Sequence, residues 1–177
     1  MNTPSFVRAK EQITSADVAE IEQQFGFELP VDYTAHMLRV NGGYPQADRF
    51  VTTGTTGETS TYRVNRFYSI KYGGSGALQT ALEDLRDQIH PDLVPFADEA
   101  GGDQFCLSVG PEDYGAVYYI SHESYVPPFG EEIYDEATDE YVDAPLPAPR
   151  QYGEGVYFLA PSFTSFLDGL VDAPSQV

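Results

Sequence analysis

With 177 residues, a net charge of −19 and a single cysteine, the chain is long enough for one domain with a substantial core, and no disulfide or metal is needed to support it. Its negative charge repels phosphate backbones and anionic lipid surfaces, which argues against nucleic-acid binding and membrane attachment. The N-terminus lacks the apolar core of a signal peptide, and no apolar run approaches the roughly 18 residues of a membrane span. These features predict a cytoplasmic protein.

The negative charge is concentrated in the second half of the sequence. Residues 1–86 have a net charge of −2, whereas residues 87–177 have one arginine against 18 acidic residues. Such a field attracts a basic protein surface. The alternative is that an acidic surface only maintains solubility, and the sequence leaves both interpretations open.

The first third of the chain predicts two helices. Thr14-x-x-Asp17 resembles a capping box that begins a helix ending at Gly26. Pro30 precedes a second helix over 31–40, with Asn41-Gly42-Gly43 offering the left-handed backbone that follows many helices. His36 is assigned to the polar side of this helix.

The next segment predicts strands and a third helix. Residues 50–53 and 62–70 have the β-branched and aromatic content of strands, and a polar loop joins them. After the glycine cluster at 73–76, apolar residues at helical spacing predict a helix over 77–89. The cluster lacks the spacing of a phosphate-binding loop, so loop flexibility is the better interpretation.

Three consecutive antiparallel strands are predicted over 93–97, 104–109 and 116–120, because turn-forming clusters of Gly, Pro and Asp separate them. Alternation in the middle strand predicts one buried face and one mixed face. Cys106 lies in this strand, where a buried small hydrophobic residue is the expected role.

Residues 124–154 interrupt the series of predicted strands, because they contain five prolines and a run of carboxylates. This composition predicts a long exposed excursion. A solvated loop without specific use is the common explanation for a charge run. Long loops in compact domains are nevertheless often functional, and tyrosine is a favourable contact residue. The predicted partner-binding residues are Glu131, Glu132, Tyr134, Asp135, Glu136, Asp139, Glu140, Tyr141 and Asp143.

The chain then returns to regular structure. Residues 155–160 are apolar on both faces, which predicts a strand in the centre of the sheet. Ser162 is the expected N-cap of a last helix, whose buried stripe is Phe163, Phe166, Leu167 and Leu170.

Catalytic and metal chemistry have little support in the sequence. His36, His90 and His122 stand outside any nucleophile motif, and with one cysteine they give none of the paired spacings of a zinc site. The turn from Asp98 to Asp103 lacks an EF-hand pattern, and a hairpin corner is the better explanation. No catalytic residue, cofactor or metal is therefore expected.

Two groups of motifs resemble one family. The N-terminal group is Ile21-Glu22, Gly26, Leu29-Pro30, Tyr33 and Asn41-Gly42-Gly43. The second group is Phe96-Ala97-Asp98, Gly101-Gly102-Asp103, Gly115, Val117-Tyr118 and His122-Glu123. In order and spacing they resemble the SUKH superfamily, whose yeast members regulate cell-wall synthesis and whose many bacterial members resemble immunity proteins against polymorphic toxins.

The resemblance implies a single α+β domain over residues 1–177, with a mainly antiparallel sheet of about five to six strands covered by helices. The acidic, Pro- and Tyr-rich segment at about 124–154 departs from the family pattern as an insertion. The resemblance further implies a non-catalytic protein that binds and neutralises a cognate toxin, here a basic and nuclease-type one. A general interaction or regulatory module with a non-toxin client is the alternative, and a carboxylate-based hydrolase is a third hypothesis.

Overall fold

A computed structural model describes residues 4–128, 131–145 and 152–174. The helices are α1 (Ser15–Phe25), α2 (Val31–Arg39), α3 (Leu78–Asp84) and α4 (Phe163–Asp168). The strands are β1 (Phe6–Val7), β2 (Tyr44–Pro45), β3 (Arg49–Thr53), β4 (Thr59–Arg63), β5 (Arg66–Phe67), β6 (Leu93–Asp98), β7 (Gln104–Ser108), β8 (Val117–Ile120), β9 (Glu132–Asp135), β10 (Glu140–Asp143), β11 (Val156–Ala160) and β12 (Leu170–Val171). Within these residues, no helix combines the length and apolar character that a membrane span requires.

The centre of the fold is a five-stranded antiparallel sheet in the order β11-β8-β7-β6-β5. Its middle contains the three consecutive strands predicted from the sequence. Smaller antiparallel sheets form from β1 with β2, from β12, β3 and β4, and from β9 with β10. The predicted α+β class with a mainly antiparallel sheet is confirmed.

The ends of α1 confirm the sequence prediction. The Thr14 hydroxyl accepts a hydrogen bond from the Asp17 backbone N–H, and the Asp17 carboxylate accepts one from the Thr14 N–H at 2.9 Å. Gly26 ends the helix in the left-handed conformation, with φ of 77°. Both caps satisfy backbone groups that a helix leaves without partners.

Helices α1, α2 and α4 contribute to the main hydrophobic core, which is rich in aromatic rings. The Phe163 ring lies edge-on to Tyr33 and to Phe96, with centroids 5.1 and 5.5 Å apart. Ser162 caps α4 by accepting a hydrogen bond from Ser165 N–H at 3.0 Å, as predicted. Such edge-to-face contacts stabilise a core beyond the area they bury.

The opposite face of the middle strand is also buried at Cys106 and Ser108, although Gln104 on that face is partly accessible, so the expected mixed face is more buried than predicted. Cys106 and Ser108 are fully buried there, because a second cluster that includes Ile89 and Tyr152 covers them. Burial raises the pKa of the Cys106 thiol. Its predicted role as a buried small residue is confirmed.

A buried carboxylate, Asp113, forms hydrogen bonds with side chains in and next to the second cluster. Asp113, in the loop between β7 and β8, accepts hydrogen bonds from Ser108 Oγ at 2.5 Å, from Tyr118 Oη at 2.6 Å and from Tyr152 Oη at 2.8 Å. Tyr152 belongs to the segment predicted as an exposed excursion, yet Tyr152 itself is only 2% exposed. Three hydroxyl donors offset the cost of burying the carboxylate and fix the loop against three segments.

Strand β11 lies at an end of the sheet order and not in its centre, so that prediction was wrong. Tyr157 and Phe158 are about half exposed, at 46% and 53%. Apolar residues on both faces of a strand indicate a central position only if a layer covers each face.

Three other predictions need adjustment. The strand predicted over 62–70 is divided between β4 and β5, and the helix predicted over 77–89 ends at Asp84 in turns. His36 was assigned to the polar side of α2, yet it is 1% exposed and packs against the rings of Phe6, Phe67 and Phe163.

Candidate functional site

The candidate site is a two-stranded hairpin formed by β9 and β10, here called the acidic hairpin and comprising residues 131–145. Tyr141 lies opposite Tyr134, and Val142 lies opposite Ile133. The turn closes through Asp139 N–H, which donates to the Asp135 carbonyl at 2.9 Å while Asp139 has a left-handed φ of 58°. Asp is among the residues that tolerate this conformation, so the sequence can form the turn without glycine.

The hairpin has two distinct faces, since side chains alternate along each strand. On one face the rings of Tyr134 and Tyr141 meet with centroids 5.4 Å apart and planes inclined by 61°. On the other face Ile133 lies across from Val142. All four side chains are exposed, and Tyr141 is 69% exposed. The hairpin therefore presents an aromatic face and an aliphatic face to its surroundings.

Carboxylates surround both faces and oppose one another across the strands. Asp135 pairs with Glu140, and Glu132 pairs with Asp143. Among the residues that the structure describes, the ion pairs all lie elsewhere. Like charges directly opposite each other destabilise a strand pair. A cationic side chain placed between these pairs would remove that penalty.

One hydroxyl of the aromatic face is held inside the hairpin. The Tyr134 hydroxyl donates a hydrogen bond to the Asp139 carboxylate, and this bond raises the pKa of Tyr134. This bond links the Tyr134 side chain to the residue that forms the turn. Tyr141 is the more exposed ring of the pair.

The structure places all nine predicted partner-binding residues on this hairpin. Eight of them are exposed, and Asp135 is partly buried. Cross-strand pairing brings six of them together, while Glu136 and Asp139 lie in the turn and Glu131 lies at the base. Their role in binding stays a prediction. The excursion's residues 129–130 and 146–151 lie outside the described part of the chain.

The three histidines have separate environments. His122 lies at the surface, where its Nδ1 is 2.5 Å from Asp103 Oδ1, and this hydrogen bond raises its pKa. Burial lowers the pKa of His90 and takes that of His36 to about 4. In the described residues, no group of three or more His, Cys, Asp or Glu side chains is arranged to hold a metal ion.

A groove next to the acidic hairpin was not predicted. It has a volume of about 840 Å³ and lies between the end of α1, the end of α3 and the start of β6, with Asp143 and Ala144 on its hairpin side. The segments that line it are far apart in sequence, so no local pattern indicates it. The sequence feature that comes closest to indicating the groove is the pair of aromatic residues Phe25 and Phe27. In the structure both are only partly buried.

Comparison with known proteins gives two findings. Residues 12–169 match the model of the SMI1 / KNR4 family (SUKH-1). The chain is also similar to the SPbeta prophage-derived uncharacterized protein YokK of Bacillus subtilis (strain 168), with 22% identity over 169 residues that cover 82% of this chain and 83% of the relative.

Proposed function

Because the chain belongs to the SMI1 / KNR4 family (SUKH-1), we propose that it is a non-catalytic immunity-type protein of the cytoplasm that binds and neutralises a basic toxin. The acidic hairpin is the contact surface of this proposal. A nuclease-type toxin is the favoured class, since a cleft that attracts phosphate groups also attracts carboxylates.

The single observation that carries the proposal is the arrangement of carboxylates on the hairpin. Two pairs of like charges oppose each other across exposed strands, and the described residues supply them with no ion-pair partner. Free in solution, this arrangement costs stability. Against a basic surface the same carboxylates become favourable, and the exposed tyrosines supply rigid contact area.

The comparison with the Bacillus subtilis protein gives weaker support. That relative is described as derived from a prophage, and this origin agrees with the proposed role without identifying a toxin. The general interaction module with a non-toxin client is the competing function, and a partner that is not a toxin would favour it.

The direct test is rescue of growth. A toxin domain encoded beside the gene is expressed in a test host with and without this protein, and rescue is expected only when the protein is present. A hairpin variant carrying Glu→Gln at 131, 132, 136 and 140 should rescue poorly, because it loses four charges from the proposed contact.

A matched variant controls for total charge. It carries Glu→Gln at Glu11, Glu20, Glu112 and Glu123, which are exposed residues outside the hairpin, and it should rescue as well as the natural protein. Equal rescue by both variants would place the contact elsewhere. Failure of the natural protein to bind or neutralise such a domain would contradict the proposed function.

A further inference from the structure

The groove beside the acidic hairpin has the size and lining of a binding site. Its volume of about 840 Å³ falls within the roughly 300–1,000 Å³ of typical ligand pockets. Leu93 and Val94 of β6 form part of its buried lining, and Leu82 and Leu85 from the region of α3 lie beside them.

The apolar side chains on its walls are only partly buried by the fold itself. Phe25 and Phe27 stack with ring centroids 6.3 Å apart and planes inclined by 20°, and both remain partly accessible. Leu82 and Leu85 are likewise partly accessible. Covering these four side chains would remove further apolar surface from water, which favours an apolar occupant.

The lining of the groove contains two carboxylates, Asp87 and Asp143, and one cation, Arg86. Asp143 and Ala144 at the base of the acidic hairpin form one side. Residues 85–91 contribute Asp87 and the cation Arg86, so the remaining carboxylates near the groove are those of the adjacent acidic hairpin. His90 also lines the groove, and because burial lowers its pKa it adds no positive charge near neutral pH.

We propose that this groove binds a basic amphipathic segment of the partner protein, with apolar side chains inserted between Phe25, Phe27 and Leu85 and with lysine or arginine directed towards the acidic hairpin. This inference rests on the proposed function and adds the part of the contact that charge alone does not supply. A second copy of this chain is disfavoured as the occupant, because each copy carries a net charge of −19 and the two would repel each other.

The groove and the acidic hairpin would make different contributions to binding. Exposed carboxylates raise the association rate and select for a basic partner, whereas a desolvated apolar anchor slows dissociation. Partners that are basic but lack an apolar face would therefore bind weakly.

A pair of synthetic peptides tests the inference. The probe is a peptide of about 14 residues made of leucine and lysine, with leucine at the i, i+3, i+4 and i+7 spacing of one helical face. The control peptide has the same composition in an order that leaves no apolar face. In calorimetric titrations at about 150 mM salt, the probe should bind at least about ten-fold more tightly than the control peptide, as expected when an apolar anchor is buried.

Leu85→Glu separates the apolar contact from charge. It adds a negative charge, so attraction by charge alone would tighten binding of a basic peptide. Loss of the anchor site should instead weaken binding of the probe by about ten-fold or more and leave the control peptide little changed. Val51→Glu makes the same kind of change at an exposed position of β3 and should not weaken the binding of either peptide.

A second variant covers the case in which Leu85→Glu unfolds the protein. Ala144→Phe partly fills the groove from the hairpin side, outside both buried clusters. It should weaken binding of the probe peptide and leave binding of the control peptide little changed. Equal binding of the two peptides, absence of binding, or an unchanged probe affinity in the folded variants would overturn the groove inference. None of these results bears on growth rescue, so the failure of one proposal is distinguishable from the failure of the other.

Discussion

The buried carboxylate Asp113 and the exposed carboxylates of the acidic hairpin show two opposite uses of the same chemical group. Asp113 accepts hydrogen bonds from three hydroxyls and connects a loop to two strands and to Tyr152. The carboxylates on the hairpin strands face one another in like-charged pairs. The first arrangement satisfies its charge within the fold, while the second leaves its charge available. A carboxylate's hydrogen-bond network, and not its presence in an acidic sequence, indicates whether its charge is satisfied within the fold.

The largest expected effect comes from removing the buried carboxylate. Asp113→Ala leaves three hydroxyls in the interior without their acceptor and should lower the free energy of unfolding by about 3 to 5 kcal/mol. Urea unfolding followed by far-UV circular dichroism measures it. Glu136→Ala on the hairpin is the matched comparison and should change the value by less than about 0.5 kcal/mol. Similar losses for both variants would remove the distinction between the two regions.

A second prediction concerns His36, which is buried among aromatic rings without a hydrogen-bond partner for either ring nitrogen. Its pKa is about 4 in the folded protein against an ordinary value of 6.5, mainly through burial and also through repulsion from Arg39. The unfolded chain therefore binds the proton more readily, so this contribution to stability is present above pH 6.5 and is lost as the pH falls towards 4.

The loss should amount to at most about 3 kcal/mol over that range. Unfolding free energies measured between pH 7 and about 4 test it in the natural protein and in His36→Phe. The phenylalanine variant should have a flatter pH dependence. Parallel curves for the two proteins would show that His36 does not titrate in this way, whatever the hairpin carboxylates contribute.

The hairpin tyrosines should affect binding and not stability. Replacing Tyr134 and Tyr141 together with alanine removes an exposed ring pair from a sheet outside both buried clusters, so the melting temperature should move by no more than about 2 °C. Affinity for a recovered partner should fall by about ten-fold or more. Val171→Ala, at another half-exposed site, is the control. A large loss of stability without a loss of affinity would assign these rings to the fold.

The smallest expected effect is relief of like-charge repulsion within the hairpin. Glu140→Lys places a cation opposite Asp135 and should stabilise the strand pair by about 0.2 to 1 kcal/mol. Hydrogen exchange of the β9 and β10 amides should slow by a factor of about two to five, while partner binding weakens. Faster exchange would contradict the cost assigned to the opposed carboxylates.

Several elements could be predicted because their signals are local. Helix α1 is marked by Thr14, Asp17 and Gly26, which satisfy backbone groups at its two ends. The three central strands are marked by the turns between them. The spacing of Tyr33, His36 and Met37 on one helical face also contained the information that His36 is buried, although its polarity favoured the opposite assignment.

Other features depend on contacts that a linear pattern does not contain. The edge position of β11 follows from the order of strands in the sheet. Its apolar residues would suit a central strand as well as an edge strand, so the sequence does not distinguish the two positions. The exposure of the hairpin within the excursion was predicted, yet the burial of Tyr152 was not, and the pairing of Tyr134 with Tyr141 requires the turn at Asp139. The groove joins α1, α3, β6 and the hairpin, and only the folded chain brings them together.

The most direct test of the acidic hairpin as a contact surface is the salt dependence of the association rate with a recovered toxin. Between about 20 and 300 mM salt, the association rate constant of the natural protein should fall by at least about ten-fold, because electrostatic attraction is screened. The variant with Glu→Gln at 131, 132, 136 and 140 should associate more slowly at low salt and respond less to salt. An association rate that ignores salt, or an equal salt response in that variant and in the matched variant outside the hairpin, would contradict the assignment.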